Sequence, residues 1–201
     1  MSTLRERNRQ DKWRRIRKAA ESLFAERGFA GTTTRAIADR AEVGVGTVYL
    51  YAKTKEDLLL RIFVESIEAA IDEGFATLPD APIVDRLLHV YGCFFAFYRR
   101  DLALARVLVR EMTLGDVDLP ANVELSMSFN RRVAALLGES ALRGELRRDL
   151  PAELAATNTF ALYLISLVAW LNGFVDEAGR DAMLRASLNL QLEGLGPREE
   201  S

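Results

Sequence analysis

Cys93 and His89 are the only cysteine and the only histidine in 201 residues. A single thiol cannot close an internal disulfide or build a multi-thiolate zinc site, and a lone imidazole excludes HExxH-type sites. There is no GxSxG nucleophile motif and no phosphate-binding loop. Gly44-x-Gly46 is too short for a dinucleotide fingerprint and sits between helical patterns rather than after a strand. No nucleophile with its base is in place, so no enzyme is expected, and no catalytic residue, metal or cofactor is assigned. The chemistry that remains belongs to hydroxyls and cations. Thr33, Thr34, Arg35, Thr47, Tyr49, Tyr51 and Lys55 crowd between positions 33 and 55, and such groups bond the phosphate oxygens that set a protein's register on a duplex.

Those residues need elements to hold them. Thr33 suits the N-cap of a short helix carrying Ile37, Ala38 and Ala41. A tight connection at Glu42-Val43-Gly44 leads to a second short helix, Val45 to Tyr51, which makes a helix-turn-helix whose second helix would enter a major groove. In it, Gly44 and Gly46 allow close backbone approach, Val45 and Leu50 are placed to touch thymine methyls, and Val43 and Val48 pack inward. Thr54-Lys55-Glu56-Asp57 resembles a capping box opening a long helix, so Lys55 joins that helix's free N–H groups at one phosphate. Taken singly, Tyr49 and Tyr51 fit packing aromatics and Lys55 a solvated charge. The charge distribution favours the concerted reading. From Met1 to Lys55, 13 Lys and Arg against 6 Asp and Glu give +7, whereas the remainder carries −9, so the net −2 hides a basic head on an acidic body.

The rest of the chain reads as helix after helix, and the fold is expected to be all-α. A stripe of Trp13, Ile16, Ala20, Leu23, Phe24 and Arg27 precedes a stop at Gly28, where glycine can adopt positive φ. The long helix after Thr54 should end near Leu78-Pro79, followed by helices at 83–99, 101–114, 121–143, 151–177 and 180–194. Met1 to Arg17 lacks the apolar core of a secretory signal. The apolar stretch Phe160 to Leu171, broken by Ser166, is shorter than the ~20 residues of a membrane span. A soluble cytoplasmic protein with no membrane partner is expected.

The string from Gly28 to Leu59 resembles the DNA-binding domain of the TetR family of bacterial transcription regulators. The matching features are the helix ending in Gly28-Phe29, the entry Thr32-Thr33, the core pair Ile37-Ala38, Gly46-Thr47-x-Tyr49-x-Tyr51, and Thr54-Lys55-Glu56-x-Leu58. Glu42 departs from a frequent glycine, Gly44 from a serine cap, Val45 from a lysine, and Ala52-Lys53 from Phe-Pro. The resemblance implies a three-helix helix-turn-helix domain at residues 10–70 and a helical ligand-binding and dimerisation domain at 71–196. It also implies a homodimeric repressor that binds a palindromic DNA operator and answers to a small, mostly apolar effector. Phe94, Phe95, Phe97, Tyr98, Met112, Met127, Phe129, Phe160 and Tyr163 are available to line a cavity, although each also fits an ordinary core. The almost continuously apolar helix after Pro151, with Leu167 in it, is expected in a four-helix dimer interface. A helical protein-interaction scaffold is the rival reading; it leaves the basic head unexplained.

Overall fold

The computed structural model describes residues 3–114 and 120–194. Among these residues there are nine α-helices and no strand: α1 (Leu4–Gly31), α2 (Thr34–Arg40), α3 (Val45–Tyr49), α4 (Lys55–Ala76), α5 (Ile83–Tyr98), α6 (Leu102–Leu114), α7 (Pro120–Leu142), α8 (Ala152–Leu171) and α9 (Glu177–Glu193). The helices form two compact units divided within α4, between Ser66 and Ile67, and α6 belongs to the first of them.

In the first unit, α1 opens on a capping box in which Thr3 and Glu6 bond each other's backbone N–H. Ile16, Ala19, Ala20, Leu23 and Phe24 are buried on one face of α1, the three-and-four spacing of an amphipathic helix. Gly28 breaks the helix as its glycine predicts, with φ 70°, but helical structure resumes to Gly31 rather than stopping. The buried Thr32 hydroxyl donates to the carbonyls of Leu23 (3.0 Å) and Gly28 (2.9 Å), which satisfies acceptors that the break would strand. At the start of α4, Asp57 N–H donates to Thr54 Oγ1 (3.0 Å) and Thr54 N–H to Asp57 Oδ2 (3.1 Å). The expected capping box is therefore formed, with aspartate in the usual glutamate place.

The second unit is built on aromatic packing. Tyr91 and Tyr163 stack at 4.8 Å, and Phe94 meets Phe129 edge-on at 5.0 Å. Tyr91 donates to Thr159 Oγ1 at 2.9 Å, the partner that a buried phenol requires. Burial holds the Tyr91, Tyr98 and Tyr163 hydroxyls above their ordinary pKa. Around α8 the expected boundaries shift. The helix ends at Leu171, not 177, because Gly173 adopts φ 76° and closes a Schellman turn, with Gly173 N–H on Trp170 O (3.0 Å) and Phe174 N–H on Ala169 O (2.9 Å). Asp176 then caps α9, accepting from Gly179 N–H at 2.8 Å, so α9 begins at Glu177 rather than 180. The apolar run through Phe174-Val175 masked the Asn172-Gly173 stop signal. By length and composition α8 could cross a membrane, but it packs against α9 and buries Thr159 and Tyr163 against α5.

Candidate nucleic-acid interface

Helices α2 and α3 are joined through a residue that pays for its place. Glu42 has φ 53°, the only positive φ outside glycine among the described residues. Its N–H bonds Asp39 O (3.2 Å) and the following Val43 N–H bonds Ala38 O (3.0 Å). This is the glycine-type helix stop made with a side chain, at a conformational cost of about 1 kcal/mol. Thr33 caps α2 as expected, accepting from Ala36 N–H at 3.1 Å.

Behind the turn, Ile37, Ala38 and Val48 are buried. In front, Gly44, Gly46, Tyr49 and Leu50 are exposed and Val45 and Thr47 half-buried. Tyr49 and Leu50 stand 52% and 82% exposed, so one edge of the short helix is free to meet a partner. A Cβ added at Gly46 would meet nothing within 4 Å. Thr33 and Arg35 are exposed on α2, with Thr34 half-buried beside them. α3 itself ends at Tyr49, two residues earlier than expected, and Leu50 to Ala52 close in turns onto Thr47 and Val48.

Two expected phosphate contacts are engaged elsewhere. The Tyr51 hydroxyl donates to Arg9 O (2.7 Å), and its ring stacks on Trp13 at 5.5 Å. Arg61 lies 4.5 Å from the Trp13 ring and donates to Tyr51 O at 3.1 Å, while Trp13 Nε1 donates to Glu65 (2.8 Å). Tyr51 is thus a packing residue that ties α1 to the end of α3. Lys55 Nζ donates to Phe29 O (2.6 Å) and Thr32 O (3.0 Å) and lies 4.1 Å from the Phe29 ring. Two of its three donors are spent on carbonyls after the α1 break, so it fastens α4 to α1 before it can offer anything to a phosphate. Trp13, Arg61 and Glu65 were missed as supports. Trp13 and Glu65 lie 52 positions apart in sequence, so no local spacing announces the pair. Arg5, Arg7 and Arg9 stand exposed on the first turns of α1.

The proposed cavity residues separate. Phe94, Tyr98 and Tyr163 are buried in the second unit, with Phe95 and Phe129 beside them, and Phe97 and Phe160 are half-buried. Met127, 56% exposed, does not line that core, and Met112 stands on α6 in the first unit. No group of His, Cys, Asp and Glu able to hold a metal occurs among the described residues.

The profile for bacterial regulatory proteins of the tetR family matches residues 16–62. An HTH-type transcriptional repressor of Mycobacterium tuberculosis is 31% identical over 147 residues, 73% of this chain and 67% of the relative. The chain belongs to the TetR family. The fatty acid metabolism regulator protein of Bacillus subtilis is 27% identical over 162 residues, covering 80% of this chain and 84% of that one. Among solved structures, Thermus thermophilus FadR, a TetR-family repressor in complex with lauroyl-CoA, superposes with a TM-score of 0.72 at 27% identity, over 94% of this chain and 97% of its own. The TetR-family match, from Ile16 to Ile62, covers α2 and α3, the segment that carries the exposed edge. This TetR-family protein is a DNA-binding transcriptional regulator.

Proposed function

We propose that this regulator is a repressor that binds a palindromic operator as a homodimer and is released by a mostly apolar effector. The observation that carries the reading is the exposed edge Gly46-Tyr49-Leu50, with half-buried Thr47 beside it, on the basic head, backed by buried Ile37, Ala38 and Val48. Residues 10–70 read the DNA, with Thr33, Thr34, Arg35, Gly44, Val45, Gly46, Thr47, Tyr49 and Leu50 at the duplex, and residues 71–196 hold effector and partner subunit. The aromatic core of Phe94, Tyr98, Phe160 and Tyr163 is where apolar ligand atoms would lodge. The lauroyl-CoA carried by the Thermus relative makes an acyl thioester the first effector to try. Its target being chromosomal DNA, the protein acts in the cytoplasm.

Ligand and DNA need a common element to oppose each other, and α4 runs unbroken from Lys55, beside the head, to Ala76 in the second unit. If two states differ in the tilt of α4, the dimer's two recognition helices change their separation from the ~34 Å of one DNA turn. By linkage, effector and operator must then weaken each other by one common factor. Titrating lauroyl-CoA with and without operator DNA, selected from a random pool, tests this. The expected result is at least roughly fivefold weaker ligand binding on DNA and, if eight phosphates are neutralised, a log K against log[salt] slope near −7. Equal ligand affinity in both states overturns effector release, and a flat salt dependence overturns the DNA interface.

For the dimer, Leu167 is 1% exposed within its own subunit, so a charge there would test the fold. Leu154 and Ile165 on α8 and Leu190 on α9 are the large exposed apolar side chains on these helices. Ile165→Arg is expected to leave the subunit folded and to shift sedimentation to the monomer, with operator affinity falling in step. An unpartnered buried charge costs several kcal/mol at an interface. A dimer that survives the substitution would move the interface elsewhere.

A further inference from the structure

We infer that the groove between α5 and α9 is a binding site for an amphiphilic organic anion, a carboxylate or phosphate on a short apolar body. The groove encloses about 620 Å³ within the second unit. Its floor is the α5 face carrying Leu88, Gly92, Phe95 and Ala96, and three arginines, Arg99, Arg180 and Arg185, stand along its sides with two carboxylates, Glu177 and Asp181.

Arg180 is the reason to expect an anion. It is only 5% exposed, with its guanidinium 4.0 Å from the Phe95 ring and 4.5 Å from the Trp170 ring. Its Nε and Nη2 both bond one oxygen of Asp181, a neighbour in sequence whose own side chain is mostly in water. No hydrogen bond among the described residues engages its Nη1, although Arg180 lines the groove. Nη1 is thereby left as a donor that a ligand in the groove could engage. Arg99 and Arg185 flank it. Arg99 reaches Glu177 only at 3.4 Å, and Arg185 pairs with Asp85 at 2.8 Å. Both pairs are solvent-exposed and contribute little, so either arginine can turn to an incoming anion at small cost. Arginine forks match carboxylate and phosphate oxygens in pairs.

Gly92 supplies the apolar half independently. It lies in the middle of a sixteen-residue helix, where only proline is a poorer choice. Its φ is not positive and a Cβ there would meet nothing within 4 Å. Neither backbone conformation nor packing inside the subunit explains the glycine. What it does is deepen the groove floor beside Phe95. The site is also distinct from the proposed dimer face. Asp181 and Arg185 share one stripe of α9, while exposed Ala186 and Leu190 lie roughly 140° around the helix at 3.6 residues per turn.

Calorimetric titration of the full chain with octyl phosphate, octanoate, octanol and inorganic phosphate tests the assignment. Octyl phosphate and octanoate are expected to bind at least tenfold more tightly than octanol, and inorganic phosphate at least tenfold more weakly than octyl phosphate. Gly92→Leu fills the floor and improves helix propensity, so it should remove this binding at least tenfold while melting no lower than the parent. Arg99→Gln with Arg185→Gln, both on the surface, should weaken it about fivefold and flatten the preference for the anion. Ligand-free operator affinity should be the same in all variants, which separates failure here from failure of the DNA-binding reading. Octanol binding as well as octyl phosphate, or a folded Gly92→Leu protein binding octyl phosphate like the parent, would overturn the site.

Discussion

Replacing Gly46 by glutamate is expected to lower operator affinity by roughly 100-fold while leaving the protein folded and dimeric. Gly46 lies in the first turn of α3, is exposed, and has open space where a side chain would grow. The new residue therefore disturbs nothing inside the first unit and is a better helix former than the one it replaces. What it adds is a negative charge on the edge shared by Thr47, Tyr49 and Leu50, where the DNA backbone must approach. Like charges forced together at an interface cost several kcal/mol, and each 1.4 kcal/mol is tenfold. Gly46→Lys provides the control, since it has similar bulk and the opposite sign; it should retain or raise non-specific affinity with a steeper salt dependence. Electrophoretic shift with the selected operator, alongside thermal melting and sedimentation, reads all three properties. A folded glutamate variant that binds within threefold of the parent would mean that α3 does not face DNA.

The second large effect concerns stability. Arg86 is buried at the start of α5, and its Nη2 donates to Ser140 Oγ (2.7 Å) and Glu145 Oε1 (2.9 Å). Glu145 also accepts from Ile83 N–H at 2.9 Å, capping α5 with a carboxylate where the helix dipole favours one. The loop after α7 is thereby fastened to the first turn of α5. Glu145→Ala leaves a buried guanidinium without its counter-charge and an N-terminal N–H without its acceptor. We expect a loss of about 3 kcal/mol, with Tm lower by roughly 6–12 °C in a chain of this size. Arg86→Met removes the charge and keeps most of the volume, so it should lose less than half as much, because an apolar replacement of a buried pair member needs no partner. Equal losses in the two variants would show that packing, and not the ion pair, sets the stability here.

Several local features were legible because short-range rules govern them. Thr33, Thr54 with Asp57, and Gly28 announced caps and a break through the hydrogen-bonding geometry of their own neighbours, and each does what its type dictates. Glu42, which stands where the family often has glycine, takes the positive φ that such a glycine would. The end of α8 was equally encoded, in Asn172-Gly173, but a run of apolar residues on both sides of the turn overrode it in a reading based on periodicity.

Side-chain engagement was not legible in the same way. Tyr51 and Lys55 carry groups that suit a phosphate, and nothing in their spacing reveals that Arg9 O, Phe29 O and Thr32 O stand within reach. Those acceptors lie on or just after α1, 23 to 42 positions away in sequence. The same holds for exposure. Leu167 and Ile165 lie two residues apart on one apolar helix, yet the first is buried and the second half in solvent, because packing covers one side of α8 and leaves the other open. The sequence by itself determined the all-α architecture, the helix-turn-helix and its basic charge, since these follow from residue type and local period. Which hydroxyls and cations remain free, and which apolar faces remain open, was decided only by tertiary packing, because a donor or a surface is spent by whatever distant segment the fold brings against it.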